Sequence, residues 1–123
     1  MADKFAGQIP LPEMGAGFHL QANLAAMAEL ETEFGEFVFV DKLLFGLPRC
    51  SPKCLNAFLK HCVFDKDGKH IEADWPDGEP LEKLAEKALD ALAWSLRGMS
   101  HEDWIKSVSE ADAGENPTSA TEA

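Results

Sequence analysis

No run of apolar residues in this chain approaches the roughly 18 that a helix needs to cross a bilayer. The first residues, Met1-Ala-Asp-Lys-Phe-Ala-Gly7, have neither the basic region nor the apolar core of a secretion signal. The expectation is a cytoplasmic protein with no membrane partner. Basic side chains are scarce: 11 Lys and Arg stand against 22 acids, a net charge of −11. Phosphate backbones are bound by clustered Lys and Arg, so a nucleic-acid partner is not expected. Cysteine is sparse and odd in number, with Cys50, Cys54 and Cys62 only. Without an export signal, three cysteines read as reduced thiols, most simply as small buried hydrophobes. Catalytic and phosphate motifs are missing too. There is no P-loop, no Gly-x-Gly-x-x-Gly, no His-Glu-x-x-His and no Gly-x-Ser-x-Gly. No motif therefore names a reaction, and no cofactor is expected.

What is present is a globular composition. The 123 residues are 46% hydrophobic, which suits one domain with a real core. The acids are unevenly placed. Residues 1–64 carry 7 acids and 5 bases, and residues 65–123 carry 15 acids and 6 bases. The composition divides the chain into a helical domain over 1–108 and a small, polar, acidic tail over 109–123, which reads as disordered. Residues 1–17 form a Gly/Pro-rich lead-in to the domain.

Helical periodicity dominates the middle of the chain. Asn23-Leu-Ala-Ala-Met-Ala-Glu-Leu-Glu-Thr-Glu-Phe-Gly35 reads as a helix with both ends marked, Asn23 as cap and Gly35 as stop. Leu20, Leu24, Met27, Leu30 and Phe34 recur at steps of three and four, which predicts one buried face. Phe37–Val40 fits a strand by propensity and a helix by the spacing of Phe37, Val40 and Leu44. The helix is preferred, running through Leu44 and stopped at Gly46. Ser51-Pro52 opens a third helix whose apolar face is Cys54, Leu55, Phe58, Leu59 and Cys62. Asp65-Lys-Asp-Gly68 is a turn, and residues 65–80 a polar loop with room for a short hairpin at His70 and Ile71. Leu81 to Arg97 forms the longest helix, with a stripe of Leu81, Leu84, Ala85, Ala88, Leu89, Leu92 and Leu96, and Gly98 closes it. Ser100 and Asp103 start a last helix, which Trp104, Ile105 and Val108 should pin to the core. Phe18-His-Leu20 is a candidate edge strand. The fold class expected is mainly α: a compact bundle of four to five helices, with a candidate short β element near the N-terminus and a disordered C-terminal tail.

Three chemical options were weighed against this background. Cys50, Cys54, His61 and Cys62 are zinc-ligand types, but adjacent His61 and Cys62 project about 100° apart on a helix, so no second pair forms. No metal is expected. A Cys–His nucleophile has no local signature here. Asp65-x-Asp67-Gly68 resembles the start of a calcium loop, yet position twelve is Pro76 where Glu is required. Among the tryptophans, Trp104 reads as core, Trp94 as core edge or exposed anchor, and Trp75 as an exposed contact or a tie that holds its loop.

The order of elements resembles the small tail assembly chaperones of long-tailed bacteriophages and related gene-transfer particles. The matching residues are Leu20-x-x-x-Leu24-x-x-Met27-x-x-Leu30-Glu31-x-x-Phe34-Gly35, then an apolar segment to Gly46, the Ser51–Val63 helix, the Leu81–Leu96 helix and the acidic tail. The resemblance covers residues 18–108. The Pro-rich start and the cysteine-bearing third helix depart from the family pattern. The resemblance implies a non-enzymatic protein of the bacterial host cytoplasm that is not expected in the mature particle. Its partners would be the tape-measure protein, which it keeps soluble, and tail-tube subunits, which it recruits. Phe37, Phe39, Trp75 and Trp94 are the candidate partner contacts. Two other classes compete: an acidic inhibitor or DNA mimic that covers a basic enzyme, and a small zinc- or thiol-dependent protein.

Overall fold

The computed structural model describes residues 7–115, with side chains of the last helix through Ser109. Among these residues it is mainly α, with five helices and a small sheet. The order is β1 (Ile9–Pro10), β2 (His19–Leu20), α1 (Leu24–Phe34), α2 (Phe39–Gly46), α3 (Pro52–His61), β3 (Val63–Phe64), β4 (His70–Ile71), α4 (Leu81–Arg97) and α5 (His101–Glu115). No helix is long and apolar enough to cross a membrane.

The sheet is antiparallel throughout, in the order β1-β2-β3-β4. Pro10 sits on the edge strand β1, where its missing N–H costs no ladder bond. β2 is interior, not the edge strand its sequence suggested. His19 pairs with Phe64 and Leu20 with Val63. The Gln21 amide extends that pairing by donating to the Cys62 carbonyl at 2.9 Å. A strand contributed from much later in the chain is invisible to local pattern. The β3–β4 turn is held by Asp65, whose Oδ1 accepts from the Asp67 and Lys69 amides at 2.9 and 3.0 Å. The Lys69 amide does most to hold this carboxyl below its ordinary range.

α1 starts and stops where its sequence says. Asn23 Oδ1 accepts the Ala26 amide at 2.9 Å, and Gly35 turns the chain at φ +112°. Its buried face is Ala26, Met27, Leu30 and Phe34. Leu24 is not on it; this residue is 87% exposed. Leu20 belongs to β2, so it cannot set a helical phase, and Leu24 lies at the edge of the buried arc, roughly 60° from Met27 and at the first residue of the helix.

α2 begins at Phe39, after a turn that includes Phe37 at φ +71°. The predicted stripe Phe37, Val40, Leu44 is therefore not the buried one. Leu43 and Leu47 are fully buried, Val40 and Leu44 half-buried, and Phe37 exposed. The α-helix ends at Gly46 as expected, although Gly46 keeps a right-handed φ of −82° rather than a left-handed stop. The chain continues through a 3-10 turn, Leu47–Arg49, to Cys50 at φ +55°. Gly46 also serves close packing, since a Cβ there would lie 2.5 Å from Cys54 Sγ.

α3 buries Cys54, Leu55, Phe58 and Leu59 as its spacing predicts, with Cys62 buried just beyond it. Ser51 occupies the cap position, but its hydroxyl makes no capping bond. α4 spans the predicted residues, ends at Gly98 (φ +69°), and buries the middle of its leucine stripe. Leu81 and Leu96, at the two ends of the stripe, remain exposed. Lys87 joins this helix to the N-terminal segment, donating to the Pro10 carbonyl at 2.8 Å and pairing with Glu13 at 3.3 Å.

α5 differs most from expectation. Ser100 Oγ accepts the Asp103 amide at 3.1 Å, as a cap should. The helix then continues to Glu115, through the first half of the stretch expected to be disordered from 109. The rest of that stretch, 116–123, lies outside the described residues. Nor do Trp104, Ile105 and Val108 pin the helix to the core. Trp104 is half-buried, and the other two are 53% and 50% exposed. α5 is instead fixed at its start, where the His101 amide donates to Asp90 Oδ1 at 2.9 Å and the Arg97 guanidinium lies over Trp104.

Candidate functional site

An apolar side chain left in water forgoes roughly 1.5–3 kcal/mol of burial energy, so several such residues near one element call for explanation. Leu24 and Phe37 are each 87% exposed, and Phe45 is 65% exposed. Phe37 also carries backbone strain. A non-glycine residue at φ +71° costs about 1–2 kcal/mol. The turn that closes α1 onto α2 holds it there: Gly35 precedes it and the Val38 amide donates to the Gly35 carbonyl at 3.3 Å.

Two open grooves flank α2. The first, about 460 Å³, is lined by Ala22, Leu24, Met27, Phe39, Ala91 and Leu96, with polar Gln21, Asn23 and Ser95 among them. The second, about 270 Å³, is lined by Leu44, His101, Trp104, Ile105, Val108 and Ser109. Phe39 and Leu44 are roughly 140° apart on α2. Buried Leu43 lies between them and anchors the helix, so each neighbour opens onto its own groove.

The four residues singled out from the sequence do not gather at one place. Phe37 stands in solvent beside the turn, and Phe39 lines the first groove. Trp94 is half-buried on α4, its Cβ against Gly7. Trp75 is half-buried against the core, and its Nε1 donates to the Glu79 carbonyl at 3.0 Å, which ties the 75–79 loop. Sequence reasoning missed Leu24, Leu96, Ile105 and Val108, all assigned to buried stripes. Leu24 neighbours Met27 at i, i+3, so helical phase alone does not separate it from the buried face.

His19, His61 and His70 make contacts between elements. His61 Nε2 lies 3.0 Å from Glu33 Oε1 and links α3 to α1. His70 Nε2 donates to the Lys60 carbonyl at 2.8 Å. His19 is buried and stacks on Phe64 at 5.8 Å between centroids. No three His, Cys, Asp or Glu side chains among the described residues come together as metal ligands. Burial pushes the Cys62 thiol from 9.0 up to about 12, the opposite of what a nucleophilic thiol requires.

That shift has a consequence for stability. Unfolded, the Cys62 thiol ionises at the ordinary 9.0 of an exposed thiol, whereas the folded chain keeps the proton up to about 12. The folded state therefore binds more protons between these values. Stability is fully present below pH 9.0 and falls as pH rises toward 12, by on the order of 1.4 kcal/mol per unit for this group. Urea midpoints at rising alkaline pH should fall more steeply for the native chain than for Cys62→Ala. Equal slopes would show that Cys62 is not protected.

No family model, curated protein or solved structure matches the chain.

Proposed function

We propose that this protein is a binding module for an apolar helical segment of another protein, acting as a tail assembly chaperone of the phage type. The observation that carries the reading is the apolar surface around α2. Exposed Leu24 lines a groove with Met27, Phe39 and Leu96, and strained, exposed Phe37 lies two residues before Phe39 in sequence. A groove of this kind accepts the apolar face of an amphipathic helix. The resemblance in element order supplies the partner: a tape-measure protein, long, helical and prone to aggregate alone. The acidic exterior suits that task, because a net charge of −11 keeps chaperones apart while they cover a sticky client. Tail-tube subunits would join through the same complex.

The test is capture from lysate of the protein's own host under particle-producing conditions, followed by high-salt washes and mass identification. Recovery of a long helical protein with tail-tube subunits supports the proposal, since apolar contact survives salt. Recovery of one basic enzyme, lost at high salt, would overturn it in favour of an acidic inhibitor.

A further inference from the structure

The second groove has a chemical character of its own. Ile105 stands as a ridge between two depressions that share it and His101. On one side lie Leu44, Trp104 and Val108; on the other lie Glu86, Asp90 and Glu102 with the single amine of Lys106. Lys106 does little to neutralise this border, because it approaches Glu102 only to 3.9 Å across solvent; the Arg97 guanidinium lies on the other side, over Trp104, and one oxygen of Asp90 is taken by the His101 amide. An apolar trough thus runs beside three carboxylates.

We infer that this face of α5 binds an amphipathic helix whose apolar stripe is flanked by lysine or arginine. The inference rests on the reading above, that the protein binds a helical partner, and adds the chemistry of the partner segment. Charge complementarity selects the occupant. Apolar side chains of the incoming helix fill the trough against Trp104 and Val108, while its basic flank lies over Glu86, Asp90 and Glu102. A second copy of this chain is disfavoured by the same argument. A two-fold contact through this face would bring both copies' carboxylate borders into one interface. α5 is also built to receive a partner. Its lining residues run from His101 to Ser109, a track of about 13 Å, fixed at its start by the His101 amide on Asp90 and by Arg97 over Trp104.

The experiment uses the full chain, isotope-labelled, titrated with a synthetic helix of about 14 residues carrying a leucine stripe with lysine flanks. A twin peptide carries glutamate in place of each lysine. The lysine peptide should shift the amides of Leu44, Trp104, Ile105 and Val108 and bind about tenfold more tightly than its twin. Its affinity should fall several-fold between about 50 and about 500 mM salt. Ile105→Glu should weaken it about tenfold. Glu86→Lys with Glu102→Lys alters exposed residues only, and should reverse the preference between the peptides. Equal binding of the two peptides overturns the inference. So does a response confined to the Leu24–Phe39 groove, which leaves the chaperone reading standing. Concentration-dependent shifts of the α5 amides without peptide would assign the face to a second copy and also overturn it. Binding of neither peptide overturns it too, while capture of the tape-measure protein decides the broader reading separately.

Discussion

Phe58→Ala is expected to lower the stability of the fold by about 3–5 kcal/mol. Phe58 is fully buried on α3, in a core that draws on every layer of the molecule. Leu11 and Leu20 come from the N-terminal segment and sheet, Leu30 from α1, Leu43 from α2, and Leu84 and Leu92 from α4. Removing the ring forfeits its transfer energy and leaves a cavity that these fixed elements cannot close. A domain of this size has about 5–15 kcal/mol in total, so the variant should stand near its unfolding limit at room temperature. Urea titration checks this. The midpoint should fall sharply with the slope unchanged, because the same surface is exposed on unfolding. A loss below about 1 kcal/mol would mean that α3 does not sit at the centre of the core.

The centre of this core was legible because α3 and α4 carry their information locally. Cys54, Leu55, Phe58 and Leu59 repeat at helical steps between clear end signals, and so do Leu84, Ala88 and Leu92. Asn23 and Gly98 likewise mark ends whose bonds involve neighbours in sequence. The sheet was less legible, since β2 is made interior by β3, a segment that local pattern cannot connect to it. The stripes failed at their ends for a different reason. Leu24, Leu81, Leu96, Ile105 and Val108 all continue an apolar pattern, yet the fold leaves each of them exposed. Periodicity reports which residues share a face, not how far the opposing surface extends. That is why the candidate site was the least readable part. A binding surface is apolar like core, and only the fold separates the two. Phe37 illustrates the point. Its spacing to Val40 and Leu44 suggested burial in a helix, whereas the turn after Gly35 leaves it outside at positive φ.

The pair Leu24→Glu and Phe37→Gly should abolish capture of the apolar partner while leaving the fold intact or slightly more stable. The two substitutions are chosen so that stability and binding move in opposite directions. Leu24 is the first residue of α1 and is 87% exposed, so little packing is lost there. A carboxylate at that position faces the positive end of the helix dipole, worth about 0.3–1 kcal/mol. Phe37 adopts φ +71°, a conformation glycine takes without penalty, so the substitution releases about 1 kcal/mol of strain. The loss of an exposed aromatic anchor that a partner covers costs about 2 kcal/mol of binding, a factor of about 30. A charge placed at the mouth of the first groove adds to that, because the Leu24 position would have to be desolvated on docking. Capture should fall about a hundredfold or more, with the thermal midpoint equal to or above that of the native chain. Unchanged capture would remove this surface from the binding site. A lowered midpoint would show instead that Leu24 or Phe37 supports the fold, and loss of capture would then carry no information about a partner.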